Sequence, residues 1–206
     1  MQGCQERGRL VLILGGARSG KSAFAEELVK KLGKRVTYIA TAQALDEEME
    51  QRIRIHRERR PPGWDTLEET HWVSKRLRDL DTDVVLVDCL TLLVSNLLLD
   101  GSFPKPGTAE MSTEKQTAIL EEMEVLAQSA RDCKAHVIVV ANELGQGLVP
   151  TYALGRTYRD VAGWANQILA GAADEVYLVI AGIPVELKEL GRKVWSKLGE
   201  GEYCGG

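Results

Sequence analysis

No stretch of this 206-residue sequence is apolar for long enough to cross a membrane. The first apolar run, Leu10 to Leu14, follows a polar segment from Met1 to Arg9 and is also too short for a signal-peptide core. A soluble, unprocessed, cytoplasmic protein is therefore expected. Cysteine has no paired spacing: Cys4, Cys89, Cys133 and Cys204 are scattered without a C-x-x-C, which argues for reduced thiols rather than a disulfide or zinc framework. Neither sign of charge dominates. The net charge of −4 gives no electrostatic reason to expect nucleic acid or an anionic membrane as partner. Internal repeats and low-complexity stretches are missing too. What remains is 44% hydrophobic and 27% charged, an ordinary globular mixture that suits one compact domain.

Apolar runs and helical periods alternate along that domain. Leu10–Leu14, Val36–Ala40, Val84–Val87, His136–Val140 and Val176–Ala181 read as buried strands. Helices are expected over Lys21–Leu32, stopped by Gly33, and from Asp46 to Arg60, stopped by Pro61-Pro62-Gly63. Thr113-x-x-Gln116 resembles a capping box ahead of Ile119, Met123, Leu126 and Ala130 at helical spacing, and a last helix is expected over Arg159–Ala173. Residues 101–107 are a loop, and the Gly- and charge-rich tail after Lys188 reads as peripheral. Strands alternating with helices predict an α/β fold with a mainly parallel sheet and ligands at the carboxyl ends of its strands. The expected organisation is an extension over 1–8, a catalytic domain over 9–188 and a tail over 189–206.

The first strand runs into Gly15-Gly16-Ala17-Arg18-Ser19-Gly20-Lys21-Ser22, which fits G-x-x-x-x-G-K-[ST] between a strand and a helix. Glycines let successive N–H groups wrap a polyphosphate, and the helix N-terminus adds potential favourable to anions. Lys21 is expected to neutralise phosphate charge and Ser22 to ligate Mg2+. A chance match in a chain of this length is on the order of one per cent, so the motif marks a P-loop NTPase fold. Asp88, closing Val84-Val85-Leu86-Val87, is placed as a Walker B acid beside the Mg2+; a strand-capping aspartate is the plainer alternative.

Of the three histidines, His136 begins a strand and His71 has no distinguishing surroundings. His56 lies in Gln51-Arg52-Ile53-Arg54-Ile55-His56-Arg57-Glu58-Arg59-Arg60-Pro61, on a helical face with Met49, Ile53 and Arg60. Periodicity alone fits a histidine packed at the core edge. The five arginines around it suit phosphate oxygens, and their field keeps an imidazole neutral and nucleophilic. A covalent phosphoramidate is the chemistry that such a histidine offers beside a bound triphosphate; a solvated basic face is the alternative for the arginines.

Taken together, these residues resemble the bifunctional adenosylcobinamide kinase/adenosylcobinamide-phosphate guanylyltransferase family. The resemblance extends through Tyr38-Ile39-Ala40-Thr41-Ala42, Arg52-Ile53 to His56, Arg60-Pro61, Trp64, Thr66, Glu68 and Asp88-Cys89-Leu90-Thr91 with Asn96. It continues through Asn142–Pro150, Arg159-Asp160-x-Ala162-Gly163, Asn166-Gln167, Ala173–Val176 and Ala181–Pro184, in one order from about 10 to 188. It implies ATP- or GTP-dependent phosphorylation of adenosylcobinamide, then transfer of GMP from GTP to adenosylcobinamide phosphate through a guanylylated histidine, matched here by His56. It further implies that Ala40, Thr41, Ala42, Arg59, Arg60, Pro61, Pro62, Glu68 and Asp88 line the nucleotide site. Which of Glu68 and Asp88 contacts guanine and which the sugar is left open. A RecA-like three-layer sheet and a homotrimer are implied as well. Asn142–Pro150 is a phosphate-sensing or corrinoid-seating loop, or a purely structural turn, and Arg156, Arg159 and Asp160 equally suit structural ion pairs. The rival functions are a P-loop kinase of another small metabolite and a RecA-like ATPase without covalent chemistry.

Overall fold

A computed structural model describes residues 7–44 and 47–198; the side chains of Glu48, Arg52, His56, Arg59, Trp195, Lys197 and Leu198 lie outside the described residues. Cys4 and Cys204 also lie outside them. The sheet is built from β1 (Leu10–Gly15), β2 (Val36–Ala40), β3 (Asp65–Glu68), β4 (Val84–Asp88), β5 (His136–Asn142), β6 (Glu175–Ile180) and β7 (Ile183–Glu186). Their order is β3-β2-β4-β5-β1-β6-β7, parallel throughout except for the β6–β7 hairpin. One strand, β5, therefore separates β1 from β4, and the ends of all three meet on one edge of the sheet.

Alternation along the strands sorts their side chains onto two faces. Leu10, Leu12, Val85, Val87, Val137 and Val139 turn to one core, covered by α4 (Leu90–Leu99), α5 (Thr113–Asp132) and α6 (Ala153–Ala172). Val11, Ile13, Val84, Leu86, Ile138 and Val140 turn to the other, where α1 (Lys21–Leu32) supplies Ala25 and Val29. Each such fully buried aliphatic side chain contributes about 1.5–3 kcal/mol. Strands dry on both faces leave their carboxyl ends as the polar working edge of the molecule.

The helical stops are observed at Gly33, whose N–H closes on Val29 O at 3.3 Å, and after α2 (Glu47–Arg59). The cap of α5 differs from the expected one. Ser112, not Thr113, accepts the Lys115 N–H at 3.2 Å, because Ser112 has the extended backbone of a cap and Thr113 is already helical. Helix α6 begins at Ala153, six residues before the expected start, and α7 (Leu187–Leu198) runs across the boundary expected at 188. Short α3 (Val73–Arg76) completes the set. Among the described residues, the free cysteines Cys89 and Cys133 are buried, and no helix is long and apolar enough to cross a membrane.

Candidate nucleotide site

Strand β1 delivers the phosphate loop. Ser19 N donates to Gly16 O at 3.3 Å and Phe24 N to Gly20 O at 3.0 Å, drawing residues 16–20 into a tight turn that opens α1. Arg18 and Gly20 have left-handed backbone, with φ of 57° and 95°. A Cβ at Gly20 would also stand 3.0 Å from Gly182 Cα, so conformation and space both require glycine there. Gly182 N donates to Ser19 O at 2.8 Å and fixes the back of the loop to the β6–β7 hairpin. The first turn of α1 has no acidic residue and no side-chain cap, which leaves its N–H groups for an anion. Ser19 Oγ, also in the loop, is buried with no partner among the described residues.

Lys21 Nζ donates to Gly16 O at 3.2 Å, folding back over the loop it serves. Burial pushes its pKa down, while the nearby Cys89 and Asp88 oppose that shift. The loop and the acidic strand end are thus within electrostatic reach. Asp88 accepts a hydrogen bond from the Tyr38 hydroxyl at 2.6 Å. Burial first, and the Asp88 charge second, raise the Tyr38 phenol well above its ordinary value, so it stays a donor. The Ser22 hydroxyl and the second Asp88 oxygen are hard donors of the kind Mg2+ takes. Among the described residues no three His, Cys, Asp or Glu side chains converge on a metal position. A cation here fits the Mg2+ habit of few protein ligands completed by phosphate and water.

A second group forms beside α2. The Arg60 guanidinium lies 3.6 Å over the Tyr38 ring, its Nη1 reaches Thr66 Oγ1 at 3.3 Å, and its Nε is buried without a partner among the described residues. Arg57 pairs with Glu68. Ala40, Ala42, Ile53, Arg57, Arg60 and Glu68 border an open cavity of about 570 Å³, a size suited to a nucleoside. The family resemblance implied Arg60 and Glu68 in one site, but Tyr38 was not singled out as the hub joining Arg60 to Asp88. It reads as one apolar member of a strand, and no local pattern betrays the contact. Pro61 and Pro62 shape the turn that follows α2, where Trp64 N donates to Pro61 O at 3.1 Å.

Thr41 stands apart from this group. It is fully buried, donates to Cys89 O at 2.8 Å and accepts from Cys89 N at 2.7 Å, while its own carbonyl receives Asn96 Nδ2 at 2.8 Å. Its fully buried side chain ties the end of β2 to the start of α4. The His56 and Arg59 side chains, both expected in the site, lie outside the described residues, although both positions belong to α2. His71 instead contacts Thr70 Oγ1 at 2.8 Å, with Nε2 3.5 Å from Asp100, a loop-holding arrangement.

Phosphate loop, loop lysine and strand-end acid, with β5 inserted between the strands that carry them, define a P-loop nucleotide-binding protein of RecA-like topology. Within that class the chain belongs to the cobinamide kinase / cobinamide phosphate guanyltransferase family, whose model matches residues 11–187. It is 43% identical over 182 residues to the bifunctional adenosylcobalamin biosynthesis protein CobU of Escherichia coli (strain K12), across 87% of this chain and 99% of that protein. It is also 43% identical over 180 residues to the bifunctional adenosylcobalamin biosynthesis protein CobP of Pseudomonas aeruginosa, across 86% and 96%. Among solved structures, the RadB recombinase aligns with a TM-score of 0.44 at 17% identity, over 84% of this chain and 74% of that one. An ATPase domain aligns with a TM-score of 0.46 at 18% identity, over 84% and 69%.

Proposed function

We propose that the protein phosphorylates the aminopropanol hydroxyl of adenosylcobinamide with ATP or GTP. It then attaches GMP from GTP to the new phosphate, yielding adenosylcobinamide-GDP and pyrophosphate in cobalamin biosynthesis. The observation that carries this reading is the family match across residues 11–187, which runs from the phosphate loop through α2 to β7. The catalytic unit is residues 9–188, working as a cytoplasmic homotrimer with nucleotides and corrinoids as its ligands and without nucleic acid.

In the kinase step the substrate hydroxyl attacks the γ-phosphorus and the bond to the departing nucleoside diphosphate breaks. The loop N–H groups and Lys21 hold the charge that develops. Ser22 and Asp88 would hold Mg2+, which when bound would supply further charge neutralisation. In the transfer step the neutral imidazole of His56 attacks the α-phosphorus of GTP, forming a P–N bond as the bond to pyrophosphate breaks. An oxygen of adenosylcobinamide phosphate then takes the GMP, and the P–N bond breaks to free the histidine. Ala40, Ala42, Arg59, Arg60, Pro61, Pro62 and Glu68 line the nucleotide site, with Thr41 holding its wall from behind.

The test is incubation with Mg2+ and GTP labelled at the α-phosphate, followed by a denaturing gel of wild type and His56→Ala. An acid-labile, base-stable label present only in the wild type is expected. Unlabelled wild type that still binds GTP would sink the covalent step and leave a simple P-loop kinase. Hydrolysis that needs a macromolecular stimulator would favour the RecA-like ATPase reading.

A further inference from the structure

Strands β2 and β3 part beyond their last paired residues, Ala40 and Glu68. Glu69 N still donates to Ala40 O at 3.0 Å, but Thr41 N turns away to Asp88 O at 3.2 Å, and the chain beyond Glu69 leaves for α3. Past the ladder, the main-chain carbonyls of Thr41 and Thr70 need a donor from elsewhere. Asn96, on α4 and only 9% exposed, supplies it to both: its Nδ2 donates to Thr41 O at 2.8 Å and to Thr70 O at 2.9 Å. A primary amide nitrogen carries two N–H groups, so both are committed to the backbone.

The two carbonyls belong to opposite walls of the nucleoside cavity. Thr41 stands between Ala40 and Ala42, and Thr70 lies two residues past Glu68; Ala40, Ala42 and Glu68 border the cavity of about 570 Å³. Asn96 reaches them from the face of the sheet covered by α4, whereas Tyr38 and Ala40 pack in the core on the other face. It therefore acts on the cavity through the backbone of its walls. The phosphate loop is supported separately, by Gly182 N on Ser19 O at 2.8 Å and Glu143 N on Gly15 O at 3.1 Å. Resting on the proposed use of this cavity for the nucleoside of GTP, we infer that Asn96 is a positioning residue that sets the distance between the two walls. The nucleoside and the triphosphate of one ligand then depend on different supports, and Asn96 governs affinity for the nucleoside alone.

The test is a calorimetric titration of the full-length protein, as wild type, Asn96→Asp and Asn96→Ser, with two probes in the presence of Mg2+. One probe is GTP with a methylene bridge between its α- and β-phosphorus, which cannot give up GMP; the other is inorganic tripolyphosphate, which has no nucleoside. Asn96→Asp keeps the size of the side chain and removes its N–H donors, while Asn96→Ser leaves a single donor on a shorter side chain and keeps the test readable should a buried carboxylate unfold the chain. Both variants should bind the GTP analogue about tenfold or more weakly and tripolyphosphate as the wild type does. A parallel loss of both probes would assign Asn96 to the general fold and overturn the inference, as would unchanged affinity for the analogue in both variants. A wild type that binds the analogue no more tightly than tripolyphosphate would instead remove the nucleoside cavity itself, and the inference with it.

Discussion

Tyr38 does three jobs with one side chain: its ring lies under Arg60, its hydroxyl serves Asp88, and its body fills the α1-side core at 5% exposure. Removing only the hydroxyl separates them. Tyr38→Phe keeps the packing and the cation–π contact but leaves Asp88 without its donor, a loss of about 1.5–3 kcal/mol for a hydrogen bond to a charged group. Turnover should fall, and the Mg2+ concentration for half-maximal rate should rise, since a freed carboxylate no longer holds one orientation. A magnesium titration of GTP turnover reads this directly; an unchanged midpoint would detach Tyr38 from the metal side of the site. Lys21→Ala tests the loop itself. If both proposed reactions use this phosphate cradle, both should drop by about 100-fold or more, while the fold persists because the hydrogen bond that Lys21 makes among the described residues goes to a loop carbonyl. Kinase and guanylyl transfer assays on one preparation check that the losses run in parallel.

At the scale of elements, the turn between β3 and α3 is held by one carboxylate. Burial alone would push Glu69 up, but hydrogen bonds from Trp72 N at 3.0 Å, Arg76 Nε at 2.8 Å and His71 N at 3.1 Å hold it below the ordinary 4.5. A depressed folded pKa means the anion stabilises the native state above the unfolded pKa. That stability is lost as pH falls from about 4.5 through the folded value. Glu69→Gln should therefore be less stable than wild type at pH 7, by about 1–3 kcal/mol, and the gap should narrow toward pH 3. Urea midpoints at several pH values settle it; a constant gap would assign the loss to packing instead. The central strands, the phosphate loop and α1 were legible because dry parallel strands write continuous apolar runs and the loop writes glycines at fixed offsets. Edge strands β3 and β7 were not, since Asp65–Glu68 and Ile183–Glu186 are short and largely exposed and so carry no alternation. Helix α4 escaped because seven of its ten residues are buried, which erases the amphipathic period. The buried atoms of Arg159 and Asn166 that lack a partner among the described residues are tertiary facts, and no spacing announces them.

The whole molecule leaves its apolar surface unevenly distributed. Ile180, Ile183 and Val185 on the β6–β7 hairpin and Leu190 and Val194 on α7 are each between 39% and 66% exposed. A second cluster, Leu148 at 98%, Val149 at 62% and Tyr152 at 65%, lies on the segment entering α6. Scattered exposed aliphatics are ordinary, but runs gathered on one edge strand and one loop are surface that association covers. β7 is also one edge of the sheet, and Pro184 within it blunts strand pairing, so side-chain packing rather than sheet extension is the expected contact. The proposed homotrimer would be a closed ring in which one surface meets a different one on the next copy, and these two clusters are the surfaces it would cover. Light scattering on the eluting protein should give about three times the 22.7 kDa of one chain. Replacing Leu148 and Val149 by serine, or Ile183 and Val185 by threonine, should lower that mass in at least one case without unfolding the chain, because all four side chains lie outside both cores. A wild type that runs as a monomer at assay concentration and turns over at full rate would mean that the clusters serve something other than self-assembly.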